Sequence, residues 1–140
     1  MEQRNDLILR EIEKLGLVLK KLIKNIHNAD SKEIETEINQ INETLTSEFN
    51  ISISSIIKLD NEALLKNINN LHESHLEKLA KLLHEVIKKM NQENKDYGLN
   101  RKELTKKAIL LIDYIDSNST TFSIDRMHLK NSLQLQTDVF

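Results

Sequence analysis

The chain of 140 residues contains no cysteine, no proline and no tryptophan, and only two glycines. Without cysteine there is no disulfide, no thiolate nucleophile and no Cys-ligated zinc. The shortage of glycine and proline speaks to fold class. A β-rich domain of this length needs many tight turns, and tight turns recruit those two residues for their backbone angles. Long helices joined by polar loops need few of either. The expectation is an all-α domain, an antiparallel array of about six to seven helices. Aromatics are scarce too, with two tyrosines and three phenylalanines, so few rings are available to stack on bases. The longest apolar run, Ala108 to Ile112, has five residues, against the roughly 20 that cross a bilayer. The opening Met1-Glu2-Gln3-Arg4-Asn5-Asp6 mixes both charge signs, and no apolar signal core follows it. A cytoplasmic protein without a membrane partner is expected.

What the chain does have is leucine, isoleucine and charge. Hydrophobic residues make up 39% and charged residues 30%, enough for one domain with a real core and solvated helix faces. The net charge of −2 hides an asymmetry. Residues 28–62 hold eight acids and two lysines, a local balance of −6. Such a stripe is ordinarily a solvated face; the alternatives are that it repels nucleic acid or attracts a basic partner.

Apolar periodicity places the elements. Ile8, Ile12, Leu15, Leu19, Leu22 and Ile26 recur at alternating steps of four and three, the seam of an amphipathic helix over 6–27. Leu7, Val18 and Ile23 widen that stripe, which predicts more than one neighbour. Gly16 sits mid-helix. A second helix should open at Asp30 or Ser31, where Asp30 and Glu33 form a capping box. Its narrow stripe of Ile34, Ile38, Ile41, Leu45 and Phe49 predicts one partner, the first helix, in a hairpin over 1–49. Ile51 and Ile53 alternate with Ser52 and Ser54 as a strand would, but no second strand exists to pair with them. Short helices over 53–58, capped by Ser52, and 61–69, capped by Asp60, are the better reading of 50–72.

Ser74 with Glu77 marks the next helix, ending near Asn94, with Gly98 placed to close the turn. Asn100 with Glu103 caps a further helix with the seam Leu104, Ala108, Leu111 and Ile115. The last begins at Ser123, with Phe122 expected to staple onto Met127, and the tail after Gln134 is expected to fray. The pair from Ser74 to Asp116, with Ala80 and Ala108 as small residues at close approaches, resembles a tetratricopeptide (TPR) helix-turn-helix unit, without that repeat's bulky tyrosines and closing proline. The chain as a whole resembles a group of small uncharacterised bacterial proteins. They share an opening like Leu9-Arg10-Glu11-Ile12-Glu13-Lys14-Leu15-Gly16 and a late segment like Thr121-Phe122-Ser123-Ile124-Asp125-Arg126. The resemblance implies a TPR-like, right-handed helical arrangement over 73–134 in a single domain of 1–140, and it implies no activity.

Chemistry-bearing motifs are few. His72, Glu73, His75 and His84 do not give the His-Glu-x-x-His of a zincin, and no histidine has a glutamate three residues before it as di-iron bundles require. Serines 31, 52, 74 and 123 read as helix caps rather than nucleophiles. Glycine-rich phosphate loops are absent from the sequence. Neither catalytic nor metal residues, nor a cofactor, can be assigned. The lysine groups Lys20-Lys21-Lys24 and Arg101-Lys102-Lys106-Lys107 lie near helix ends. The first suits the helix dipole and the second does not, which makes it a candidate contact for an anionic partner. The reading that fits best is a non-enzymatic interaction or scaffold module with a protein partner, a second copy of the chain in a homodimer being one alternative. Its candidate contact residues are Ile8, Ile12, Leu19, Ile26, Tyr97, Arg101, Tyr114 and Arg126. A rival is a small-molecule-binding bundle in which His75, Tyr97, Tyr114 and Arg126 meet in a pocket. A DNA-associated regulator ranks third, because the chain lacks a concentrated basic face.

Overall fold

A computed structural model describes residues 2–137, with side chains for 5–136. Among them are seven α-helices and no strand: α1 (Glu2–Asn28), α2 (Ile34–Phe49), α3 (Ile53–Lys58), α4 (Asn61–Ile68), α5 (Glu73–Glu93), α6 (Arg101–Asn118) and α7 (Ile124–Thr137). Residues 138–140, where part of the expected frayed tail falls, lie outside the described residues. Residues 135–137 are still helical.

The capping signals act mostly where the sequence puts them. Ser52 and Ser55 exchange reciprocal bonds at the start of α3, each side-chain oxygen accepting from the other's backbone N–H at 2.9 and 3.0 Å. Asn42 of α2 accepts from Ile53 N at 2.8 Å, so the turn is also tied to α2. This resolves the strand-like alternation. Ile51, Ile53 and Ile56 are all buried, because the chain enters the core in a turn and leaves it in a helix. Asp60 caps α4 through Ala63 N, and Asn100 caps α6 through Glu103 N.

Three local expectations are corrected, and a fourth, the close of α5, is borne out and refined. The Asp30–Glu33 box does form, but it closes a separate turn, and α2 starts only at Ile34. The cap of α5 is His72, whose Nδ1 accepts from Ser74 N. The Ser74–Glu77 box does not form because α5 begins at Glu73, which puts Ser74 inside the first turn with its hydroxyl against His72 Nδ1, while Glu77 binds Arg126. Asn94, at φ 51°, is the left-handed residue that ends α5, and Gly98 serves the following turn. Phe122 is 76% exposed and staples nothing. The turn before α7 is organised around Arg126, which holds Thr121 O, and this leaves Phe122 outside.

The stacking of the helices is the main departure from a simple antiparallel array. α1 and α2 do form the expected antiparallel hairpin, with Phe49 at the end of α2 close to Ile12 and Leu15 early in α1. Yet α1 packs most extensively on α5, and the two run parallel. Four contacts in the same order fix this: Ile12 O with His75 Nε2, His27 with Glu85, Ala29 O with Lys89, and Ser31 with Glu93. α7 is parallel to α5 as well, through Glu77 with Arg126, His84 with Ser132, and Asn91 with Gln136. α6 runs back antiparallel beneath α5 and α7, and carries α3 and α4 on its other side. Three parallel helices, α1, α5 and α7, thus form one layer with α5 in the middle. Their apolar faces, with those of α2 and α6, enclose one continuous core that includes Leu19, Ile26, Leu83, Ala108 and Leu133.

Candidate functional site

The layer leaves a groove between α5 and α7. Ala80 is the reason. It is fully buried and ends at its Cβ, so the gap reaches down to Ile112 and Ile115 of α6. Leu129 continues the apolar floor, Lys78 and Lys81 form the α5 wall, and His128 stands on the α7 wall. The space is about 480 Å³ and is open to solvent rather than enclosed.

Two polar contacts hold the walls. His84 Nε2 and Ser132 Oγ are 2.8 Å apart. Desolvation pulls the His84 pKa below its ordinary value, and Lys88 adds to this while Glu85 opposes it. A neutral imidazole is therefore favoured there. At the N-terminal end, Arg126 is 5% exposed and surrounded by acceptors: Asp116 Oδ1 at 2.7 Å from Nε, Thr121 O at 2.7 Å from Nη2, and Glu77, with Glu73 further off. Burial opposes its charge, but the bonds and attraction of Asp116 and Glu77 prevail and hold its pKa above the usual arginine value.

No family model, curated protein or solved structure matches this chain. The site is therefore read from its own residues.

The residues singled out in the sequence do not form one site. Leu19 and Ile26 are 1% and 0% exposed, so they are core and present no contact surface. Ile8 is 51% exposed among the uncovered residues 5–11, and Ile12 is half-buried. Arg101 is engaged by Asp96 and Asn91 at the α5–α6 turn. Two of its three neighbours in the basic group are engaged too, while Lys102 is exposed. Lys106 pairs with Glu103, and Lys107 is buried, its Nζ donating to Leu59 O and Asn61 Oδ1. The expected anion contact at 101–107 is thus largely consumed by the fold. The pocket imagined for His75, Tyr97, Tyr114 and Arg126 does not form. His75 lies beside Ile12 and Phe49, and Arg126 lies in the α5–α7 groove. Tyr97 is in the α5–α6 turn at φ 49°, its pKa raised by desolvation and by Glu93 and Glu35, and Tyr114 lines neither cavity.

The sequence reading passed over the outer row of α5. Ser74, Lys78, Lys81, Glu85 and Lys88 follow at steps of four and three, one polar face of a helix whose other face is core. Alone, that row reads as a solvated surface. Only the position of α5 between two parallel helices makes it the floor of a shared face. Among the described residues no group of three or more His, Asp or Glu is arranged to hold a metal, and no helix is long and apolar enough to cross a membrane.

Proposed function

We propose that the chain is a non-enzymatic protein-interaction module of the bacterial cytoplasm, TPR-like in its C-terminal half, which holds a segment of another protein on the α1–α5–α7 face. The observation that carries this is the α5–α7 groove, an apolar floor of Ala80, Ile112, Ile115 and Leu129 left open between walls braced by His84–Ser132 and Arg126–Asp116. A braced groove costs little to order on binding, and its shape suits a side chain of an extended or helical segment. The parallel–antiparallel–parallel run of α5, α6 and α7 supports the TPR-like part of the reading. The polar side chains most suited to chemistry are in structural bonds, His75 to Ile12 O and Arg126 to its carboxylates, which favours binding over catalysis.

The test is selection of peptides from a random library of roughly 12 residues, a length that spans such a groove, against the full chain. Enriched peptides should be lost on His128→Trp, which places an indole over the groove from an exposed position. If no peptide is enriched, or if His128→Trp binds the enriched peptides as well as the original chain does, the groove is not the binding site.

A further inference from the structure

Five of the lysines left without acidic partners share one place in the fold. On α1, Glu13, Gly16, Lys20, Lys24 and His27 follow at steps of three and four along the edge facing α5's outer row. Two contacts set the register of the parallel pair. An added Cβ at Gly16 would lie 3.8 Å from Lys78 Cε, and His27 Nδ1 is 3.1 Å from Glu85 Oε2. Lys20 lies between Gly16 and His27, so it is level with the stretch between Lys78 and Glu85, where Lys81 stands. Lys24 and Lys88 extend the strip toward the C-terminal ends of the two helices. Within these two rows five lysines thus stand with two glutamates, Glu13 and Glu85, and Glu85 is already engaged by His27; Glu77 and Asp125 also line the adjoining groove, where Glu77 is taken up by Arg126. None of the five forms an ion pair among the described residues, whereas Lys66, Lys106 and Lys130 elsewhere each do. Like charges brought together on a folded surface raise its free energy, and a bound anion relieves it.

We infer that the segment held on this face is acidic: a stretch of a partner protein whose Asp and Glu side chains lie along Lys20, Lys78, Lys81 and Lys88 while an apolar side chain enters the adjoining groove. This rests on the interaction reading above and adds the chemistry of the partner. Lys78 and Lys81 belong to both features, since they line the groove and stand in the strip. A protein segment fits better than a nucleic acid. The strip has no arginine and no Phe, Tyr or Trp, and the −6 stretch over 28–62 repels an extended polyanion. It fits better than a bilayer as well, because the strip's own outer residues are charged and, of the large exposed apolar residues on α1, Leu7, Ile8 and Leu9 lie before the strip begins and Leu17 alone is level with it.

The same peptide selection decides the matter, followed by anisotropy titration of the best labelled peptide. Selected peptides should be rich in Asp and Glu with an apolar residue. Affinity should fall at least about tenfold in Lys78→Gln/Lys81→Gln, and should weaken from about 0.1 M to about 1 M salt as the screening length shrinks from ~10 to ~3 Å. Lys14→Gln/Lys21→Gln, which removes the same charge from other faces of α1, should bind within about twofold of the original chain. All four lysines are partly or fully solvated, so both variants should fold, and thermal melts establish that. Enriched peptides that are neutral or basic would overturn the acidic partner and leave the groove standing. Acidic peptides that bind both variants equally would overturn the strip. Binding of random duplex DNA, of phosphatidylserine vesicles or of a second copy of the chain that depends on Lys78 and Lys81, without acidic-peptide binding, would overturn the inference as well. No enrichment at all removes the interaction reading itself.

Discussion

Arg126 reaches back across the α6–α7 turn to Asp116, with Nε 2.7 Å from Oδ1, and the same guanidinium holds Thr121 O and Glu77 of α5. One side chain therefore joins three helices and shapes the turn between two of them. Its fork of donors matches several acceptors at once, which a lysine could not do. Removing it by Arg126→Met leaves Glu77 and Asp116 behind, but their side chains are 39% and 47% exposed and can recover water. The cost should be about 2 kcal/mol, below the ~3–5 kcal/mol seen when an unpaired charge stays buried. Urea unfolding measures it. Hydrogen exchange should also show residues 119–123 opening faster, and unchanged exchange there would mean that the turn does not depend on Arg126.

Gly16 offers a stabilising change. It lies within α1 in helical conformation, under the Lys78 stem. A Cβ there would meet Lys78 Cε at 3.8 Å and Nζ at 3.9 Å, ordinary contact with the end of a flexible chain. Gly16→Ala should therefore gain most of the ~1 kcal/mol by which alanine exceeds glycine in a helix. Thermal unfolding should shift up by a few degrees, about 2–6 °C. A downward shift would show that α1 and α5 need a closer approach than the static contact distances indicate.

How much of this was legible in the sequence depends on the range of the interaction. The seams of α1, α2, α5 and α6 follow from 3.6-residue spacing, and Ser52, Asp60 and Asn100 cap because each needs only its own next turn. The Ser74–Glu77 signal was equally local and gave way to another local one, because α5 begins at Glu73 with His72 as its cap and Ser74 falls inside the first turn. The parallel pairing of α1 with α5 left no local trace, since a helix stripe records that it is covered and not in which direction its neighbour runs. That is why the groove and the lysine strip were not legible. Both arise between helices, and each row taken alone reads as a solvated face.

Lys107 shows the same limit in a buried charge. The sequence places it in a basic group on α6, yet it is 5% exposed, and its Nζ donates to Leu59 O at the end of α3 and to Asn61 Oδ1 at the start of α4. Lys107→Met keeps the stem and removes the donor, leaving a carbonyl without its partner. A loss of about 1–3 kcal/mol is expected from a buried unsatisfied acceptor. Lys106→Met, one residue away in an exposed pair with Glu103, should change stability by less than about 0.5 kcal/mol. Comparable losses in the two variants would mean that the α3–α4 junction is held by packing alone.

His84 sets an acid limit on the groove walls. Its pKa in the folded chain lies below the ordinary histidine value of about 6.5, because burial beside Ser132 disfavours the charged ring and Lys88 adds to that, while Glu85 only partly offsets it. The unfolded chain therefore takes up this proton first as pH falls, and the folded state gains nothing from it. The stability that His84 contributes is complete above about pH 6.5 and declines as pH drops below that toward its folded pKa. Other histidines and the carboxylates also titrate on the acid side, so the informative quantity is a difference of differences. The gap in urea stability between pH 7.5 and 5.5 should be smaller in His84→Gln, which keeps a polar group within reach of Ser132, than in the original chain. If the two gaps are equal, or the variant's is larger, the ring is not held neutral at the groove wall.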